Sequence, residues 1–380
     1  SKGSYITFVR SLLISQLFIM LCKKSLVLLF LCWICTYCSA IATTYVGQSI
    51  DQHTTWTKSN SPYIITMDLL VEEDITLTIQ PGTKVFFSKE TQIIIAGNLI
   101  AKGSKSQKIS FTGLNDTDWN GFFFTRSCND YNPDNQEGVC FIYCSFKGTG
   151  NAPTHLIRSK GCNINISNCT IENCYTAIQT ERQAELWITK SCFKYCNRVL
   201  NIRNTSLATV TKNKMTSCNS IMLGGTTIFK ENTLKKFTGN GRHSGVVIWM
   251  LGGGIVDISN NQFIKFEDYA IKLHKMSKRS SFLVSNNDFK NNQTNLKLSC
   301  KYYNQGTSLV ENNNFYNYKQ YHISLFEPCM DKEDEVLEIG ANYWGKLSKE
   351  EVKKAALDKN QDENISAEIQ FKTLLKKINH

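Results

Sequence analysis

Short apolar runs with period-2 alternation recur along the chain, as in Ile164/Ile166, Val256/Ile258 and Ile323/Leu325. Alternation of that kind marks strands with one buried face. In the repeating unit a β-branched run leads to a polar residue, one variable residue and a large apolar anchor. The anchors are Phe146, Ile171, Phe193, Met215, Leu234, Phe263, Phe289, Phe315 and Trp344, separated by 25, 22, 22, 19, 29, 26, 26 and 29 residues. Leucine-rich and ankyrin arrays hold their period more tightly. Short constant strands joined by turns of varying length fit a β-solenoid, in which each unit buries its apolar face only against its neighbours.

Aligned on the anchors, the units show columns of like residues. Two positions earlier stand Cys144, Cys169, Ser191, Asn213, Asn232, Asn261, Asn287, Asn313 and Asn342. Three positions later stand Thr149, Cys174, Cys196, Cys218, Phe237, Phe266, Asn292 and Tyr318. In-register parallel stacking sets the side chains of one column ~4.8 Å apart. Asn amides then bond along a column, while Phe and Cys fill the interior. The pattern predicts an all-β chain folded as a right-handed parallel β-helix. Phe263, Phe289 and Phe315 should stack in adjacent coils, with Asn261, Asn287 and Asn313 lining a turn beside them. The open strand edges need caps. Ser348 to Glu351 has the pattern of a capping box and predicts a short helix through Leu357. Ala367 to Phe371 predicts a last strand folded over the stack.

The amino terminus allows two readings. Met20 to Lys24 forms a basic start, Ser25 to Cys35 an apolar run of signal length, and Thr36 to Ala42 a small-residue cleavage region, the layout of a secretory signal. Lys23 and Lys24 break the longer run from Ser11 to Cys38, which is the competing reading, an uncleaved anchor. On the first reading residues 1–19 are an upstream extension, 20–42 the signal, 43–345 the β-helix and 346–380 the cap. Four of the 15 cysteines (Cys22, Cys32, Cys35 and Cys38) leave with the signal. Six sequons become glycosylation candidates in a secretory route: Asn115, Asn165, Asn168, Asn204, Asn292 and Asn364. An inward-pointing one is closed to modification after folding. Cys128 and Cys140 bracket a polar, Pro-containing excursion, and a disulfide closing it would stabilise by about 3 kcal/mol. Cys300 and Cys329 are a candidate late bridge, while Cys174, Cys196 and Cys218 read as apolar fillers of one column.

Further motifs carry a family resemblance. Ser61 to Ile65, Leu77 to Phe87, Ile95 to Leu99, Ala101 to Gly103 and Ile109 to Thr112 resemble the opening coils of pectin-lyase-like right-handed β-helix proteins. Asn342-Tyr343-Trp344-Gly345 resembles the module that closes many such helices, including the extracellular β-helix segments of bark beetle-type junction proteins. The resemblance implies the fold over roughly residues 57–371 and leaves function open, since the superfamily holds lyases, hydrolases, epimerases, adhesins and junction proteins. Its enzymes use paired carboxylates or a Ca²⁺-binding Asp cluster with a basic residue. From Phe141 to Met330 the one adjacent acidic pair is Glu267-Asp268. Gly241 to Gly245, around His243, reads as a Gly-rich turn rather than a catalytic element, and His274 as part of a basic loop. No Cys/His spacing suits zinc, and no cofactor is expected, with calcium arising only for a lyase. No nucleic-acid motif is present.

Charge is the more informative signal. From Phe141 to Met330 there are 23 Lys/Arg against 10 Asp/Glu, whereas residues 331–380 carry 9 against 11. A basic repeat surface attracts polyanions, although a merely solvated face gives the same count. The expected function is a secreted, extracellular interaction protein that presents a basic face to acidic polysaccharide or partner proteins. Lys272, Lys275, Lys278 and Arg279 are the candidate contacts. The aromatics Tyr302, Tyr303, Tyr316, Tyr318 and Tyr321 either stack on sugars or pack internally. The alternative is a polysaccharide lyase or hydrolase, and no membrane span is expected once the signal is removed. Amino-terminal sequencing of secreted protein should give Ile41 or Thr43 as the first residue. Material that retains Lys23 would establish the anchor instead.

Overall fold

The computed structural model describes residues 20, 23–24, 43–148, 155–203, 207–239, 244–326 and 335–376. The chain divides into two units, Ser1–Ala42 and Thr43–His380. Among the described residues no helix is long and apolar enough to cross a membrane. Thr149, Asn204, His243 and Cys329 lie outside the described residues.

The second unit is a parallel β-solenoid. Its strands form three long sheets, and hydrogen-bonded neighbours within each sheet are successive turns of the chain. Sheet 1 runs from Thr44–Val46 to Asn314–Phe315, and sheet 2 from Leu69–Val71 through Tyr318–Phe326 to Ala356–Leu357. Sheet 3 runs from Thr54–Trp56 to Thr307–Glu311. The chain visits sheets 3, 1 and 2 in rotation. The anchors pair residue on residue along sheet 1, from Phe146 with Ile171 to Phe289 with Phe315. Phe263, Phe289, Phe315 and Trp344 form the expected stack, with ring centroids 4.9, 4.8 and 4.4 Å apart and planes within 16°.

The corner between sheets 3 and 1 shows why Asn is abundant. Asn213, Asn232, Asn261, Asn287, Asn313 and Asn342 form a buried ladder. In each rung the side-chain oxygen accepts the backbone N–H of the Asn one coil earlier, at 2.8–3.0 Å. Its amide nitrogen donates to a strand carbonyl of sheet 3. A corner leaves backbone groups that neither sheet satisfies, and burial makes that costly; the ladder supplies the partners. Ser191 and Cys169 extend it with hydroxyl and thiol acceptors for the N–H of Cys169 and Cys144. The residue before each rung from Asn213 to Asn313 is left-handed, for example Asn260, Asn286 and Asn312 with φ of 56–58°. Asn tolerates that region better than most residues. In each Asn-Asn pair here, therefore, the first Asn makes the turn and the second bonds the coils.

The helical cap is shorter than the sequence pattern predicts. Ser348 and Glu351 make the reciprocal capping box, but the helix spans Lys349–Lys354. Ala356–Leu357 instead extends the open edge of sheet 2 by pairing with Ile323 and Ser324, because an unpaired edge competes for those backbone groups. Ala367–Phe371 is a strand, pairing in parallel with Glu335–Ile339. A helix at Cys300–Tyr303, which the periodicity did not suggest, follows a sheet 2 strand.

Near this end His322 packs against Phe315, Tyr318 and Trp344 and shares a 2.8 Å hydrogen bond with the Asn295 amide. Burial pushes its imidazole down to about 3. The unfolded chain takes up this proton near pH 6.5, while the folded one stays neutral to about pH 3. Its contribution is fully present above pH 6.5 and is lost as pH falls towards 3, on the order of a few kcal/mol. Urea midpoints should therefore fall more steeply with acidification in the wild type than in His322→Gln, and equal slopes would exclude this residue as the cause. For the ladder, Asn287→Ala leaves buried donors and acceptors unpaired and should cost about 2–4 kcal/mol. Asn286→Gly, at the exposed left-handed position, should stay within about 0.5 kcal/mol.

Candidate functional site

The outer face of sheet 2 carries a constellation of charged and aromatic side chains. Its eight strands from His155–Lys160 to Tyr318–Phe326 contain Arg158, Lys160, Arg198, Lys272, Lys275, Lys297 and Lys319, and one carboxylate, Glu181. Glu181 is taken up locally, 3.2 Å from the Arg158 guanidinium and bonded to the Gln179 amide. Asn201 in turn donates to Gln179 at 2.7 Å. On sheets 1 and 3 some lysines meet acids on the same or adjacent strands. Lys194 pairs with Glu172, Lys290 with Asp288 and Lys230 with Asp257, at 3.1, 3.0 and 2.8 Å.

Further along the same face, Ile202, Arg203, Met222 and Trp249 line a recess of about 280 Å³. The Lys275 ammonium lies 5.2 Å from the Trp249 ring centroid, and His274 packs on that ring at 4.8 Å. Lys272 and Lys297, directly paired in adjacent strands, both approach Phe326, at 4.3 and 5.8 Å. From Ile202 to Phe326 the face crosses six consecutive strands, roughly 24 Å at the strand spacing. Aromatic faces beside ammonium groups suit a ligand with C–H-rich surfaces and negative charge, since stacking and ion pairing then act together. Burial lowers His155, and Arg158 beside it acts in the same direction.

The four predicted contact residues do not form one patch. Lys272 is 8% exposed, so it is a buried support for the face and not a free cation. Lys275 is partly exposed on the strand, and Lys278 and Arg279 are exposed on the turn that follows. The tyrosines also divide. Tyr303 is buried and its hydroxyl donates to the Glu338 carbonyl, Tyr318 packs on His322, and Tyr316 lies under the Lys290 ammonium at 4.4 Å. Arg158, Arg198, Arg203, Trp249, Lys297 and Phe326 were missed because they lie in outward columns of sheet 2, and the repeat was aligned on sheet 1.

The disulfide expectation needs correction. Cys128 bonds to Cys162, with Cα atoms 6.0 Å apart, and not to Cys140. Cys140 opens the strand Cys140–Ile142, paired to Ile100 and Asn165. It is a buried free thiol that burial pushes up to about 11. Stacking brings Cys162, from the next coil, within reach of Cys128. Cys300 is disulfide-bonded. Cys174, Cys196 and Cys218 are buried free thiols in one column. Of the sequons, Asn115 and Asn364 are exposed and Asn168 half-buried. Asn165 is buried. Asn292 is fully buried and bonded to the Phe263 carbonyl and Asn295, so it is closed to modification after folding.

Among the described residues the only grouping of three metal-capable side chains is Cys128, Asp130 and Cys162, and the disulfide consumes two of them. No three carboxylates converge there as a calcium-dependent lyase would need. Fold and site together define a parallel β-solenoid with a cation-rich, aromatic-studded sheet. Comparison with known proteins finds no matching family model, no similar curated protein and no similar solved structure.

Proposed function

We propose that this is a secreted extracellular interaction protein whose sheet 2 holds acidic polysaccharide along the stacked coils. The carrying observation is the row of cations set beside aromatic rings on one sheet, with Lys275 next to Trp249 and Lys297 next to Phe326. Trp249 and Phe326 interrupt that row and supply stacking surfaces. A stiff scaffold that fixes cations along its stacking axis suits a linear polyanion. The resemblance to pectin-lyase-like proteins supports the same class of ligand.

One observation favours the alternative, a lyase or hydrolase. His155 is held below its ordinary range beside Arg158 and Glu181, so it is a neutral imidazole near a cation and a carboxylate, as proton abstraction requires. Both readings are checked on a heparin or polyuronate column run through a salt gradient. The wild-type chain should elute well after a neutral control protein, since ionic contacts weaken as the screening length shortens. Lys275→Glu/Lys297→Glu should elute at clearly lower salt, and Trp249→Ala should lose roughly three- to tenfold in affinity. Elution of the wild type with the control protein would refute polysaccharide binding. New unsaturated or reducing ends in the eluted polymer would establish the enzyme.

A further inference from the structure

The corner between sheets 1 and 2 repeats the left-handed turn, and its occupants change along the chain. Asn173, Tyr195, Ser217, Lys236, Lys265 and Asn291 hold this position, with φ of 54–60°. A left-handed lysine is strained by comparison with Asn, yet lysine takes two adjacent turns, above the stacked rings of Phe237 and Phe266 (4.6 Å). Their two ammonium groups therefore start from neighbouring coils, where like charges repel. Around them lies an open groove of about 610 Å³, lined by Ser217, Lys236, Thr238, Lys265, Asn291 and Lys319, with Glu267 as its carboxylate. Among the described residues Lys236, Lys265 and Lys319 have no acid within ion-pair distance, whereas Lys194, Lys212 and Lys290 on neighbouring turns do. Like charges on adjacent coils of an exposed corner, with Glu267 as the groove's one carboxylate, favour an external anion.

We infer that this corner is a second track for acidic polysaccharide, parallel to the one on sheet 2, so that one molecule holds two polymer strands and cross-links them. The ligand class rests on the reading above; the second track rests on the corner itself. The two tracks begin at opposite ends of the same strands. Lys319 and Phe326 are both in Tyr318–Phe326, seven residues or roughly 23 Å apart at the rise of a strand. That separation leaves room for two chains side by side. In the corner track Lys236 and Lys265 stand on adjacent coils, one coil rise apart. Ser217, Thr238 and Asn291 add hydroxyl and amide partners suited to sugar hydroxyls.

The test uses the full chain with heparin-coated beads, scored for agglutination at low salt, beside retention on the same polymer in a column. Lys236→Asn/Lys265→Asn removes the charges and puts the residue that tolerates the turn in their place, so the fold is kept and the thermal midpoint should hold or rise. The wild type should be retained and should agglutinate the beads. The Asn variant should still be retained through sheet 2, but should need at least tenfold more protein to agglutinate. Equal agglutination by the Asn variant would overturn the inference, and a dimer bridging through sheet 2 alone would give that result. Retention of the wild type without agglutination would overturn cross-linking and leave the sheet 2 reading intact. Loss of retention in the Asn variant, with Lys275→Glu/Lys297→Glu unaffected, would move the binding site to the corner and overturn both the sheet 2 reading and the two-strand inference. Tighter retention on duplex DNA than on either polysaccharide would overturn the ligand class.

Discussion

The structure depends on one constraint: at every turn a buried backbone corner must find hydrogen-bond partners in the coil above or below. Asn meets it economically. One amide accepts from the preceding coil and donates to a strand carbonyl, as the chain from Asn213 to Asn342 shows. Once that ladder is in register, the anchors behind it are placed on top of one another, and the Phe263–Trp344 stack follows without further instruction. Burial of the ring faces and satisfaction of the corner are thus two aspects of a single alignment.

The same alignment determines what the outside can display. Residues that point outward from one sheet become columns at the coil spacing, whatever their distance in sequence. A column of like charges is unfavourable unless it is paired internally or externally. Sheets 1 and 3 use internal pairing at Lys194, Lys290 and Lys230, with acids set beside them. Sheet 2 from His155–Lys160 onward to Tyr318–Phe326 carries arginine, lysine and aromatic side chains with a single acid, Glu181, which Arg158 pairs.

Much of the fold was legible because the ladder and the anchors keep a constant offset of two residues. The columns through Asn261, Asn287 and Asn313 could be read without coordinates. Sheet 2 could not, because the turns before and after its strands vary in length and its pairing shifts register at Arg198/Asn201, Ile248/Trp249 and Asn292/Thr294. A one-residue shift exchanges inward and outward positions. Lys272 faces outward in register with Lys297 and is covered by Phe326 from two coils on, a neighbour that only the stacking reveals. The Cys128 partner was misread for a related reason. Nearness in sequence favoured Cys140, whereas nearness in a solenoid is measured between coils and selects Cys162.

Because each coil bonds only to its two neighbours, the solenoid responds to mechanical load in a particular way. Parallel-sheet hydrogen bonds point along the stacking direction, so tension in that direction is carried by all the bonds of one interface at once. The interfaces themselves are joined in series. The tensile strength of the stack is then that of its poorest interface, not of its average. The junction of Arg198–Ile202 with Ser220–Leu223 in sheet 2 keeps two paired positions, Arg198 with Ser220 and Asn201 with Met222, and rupture should begin there.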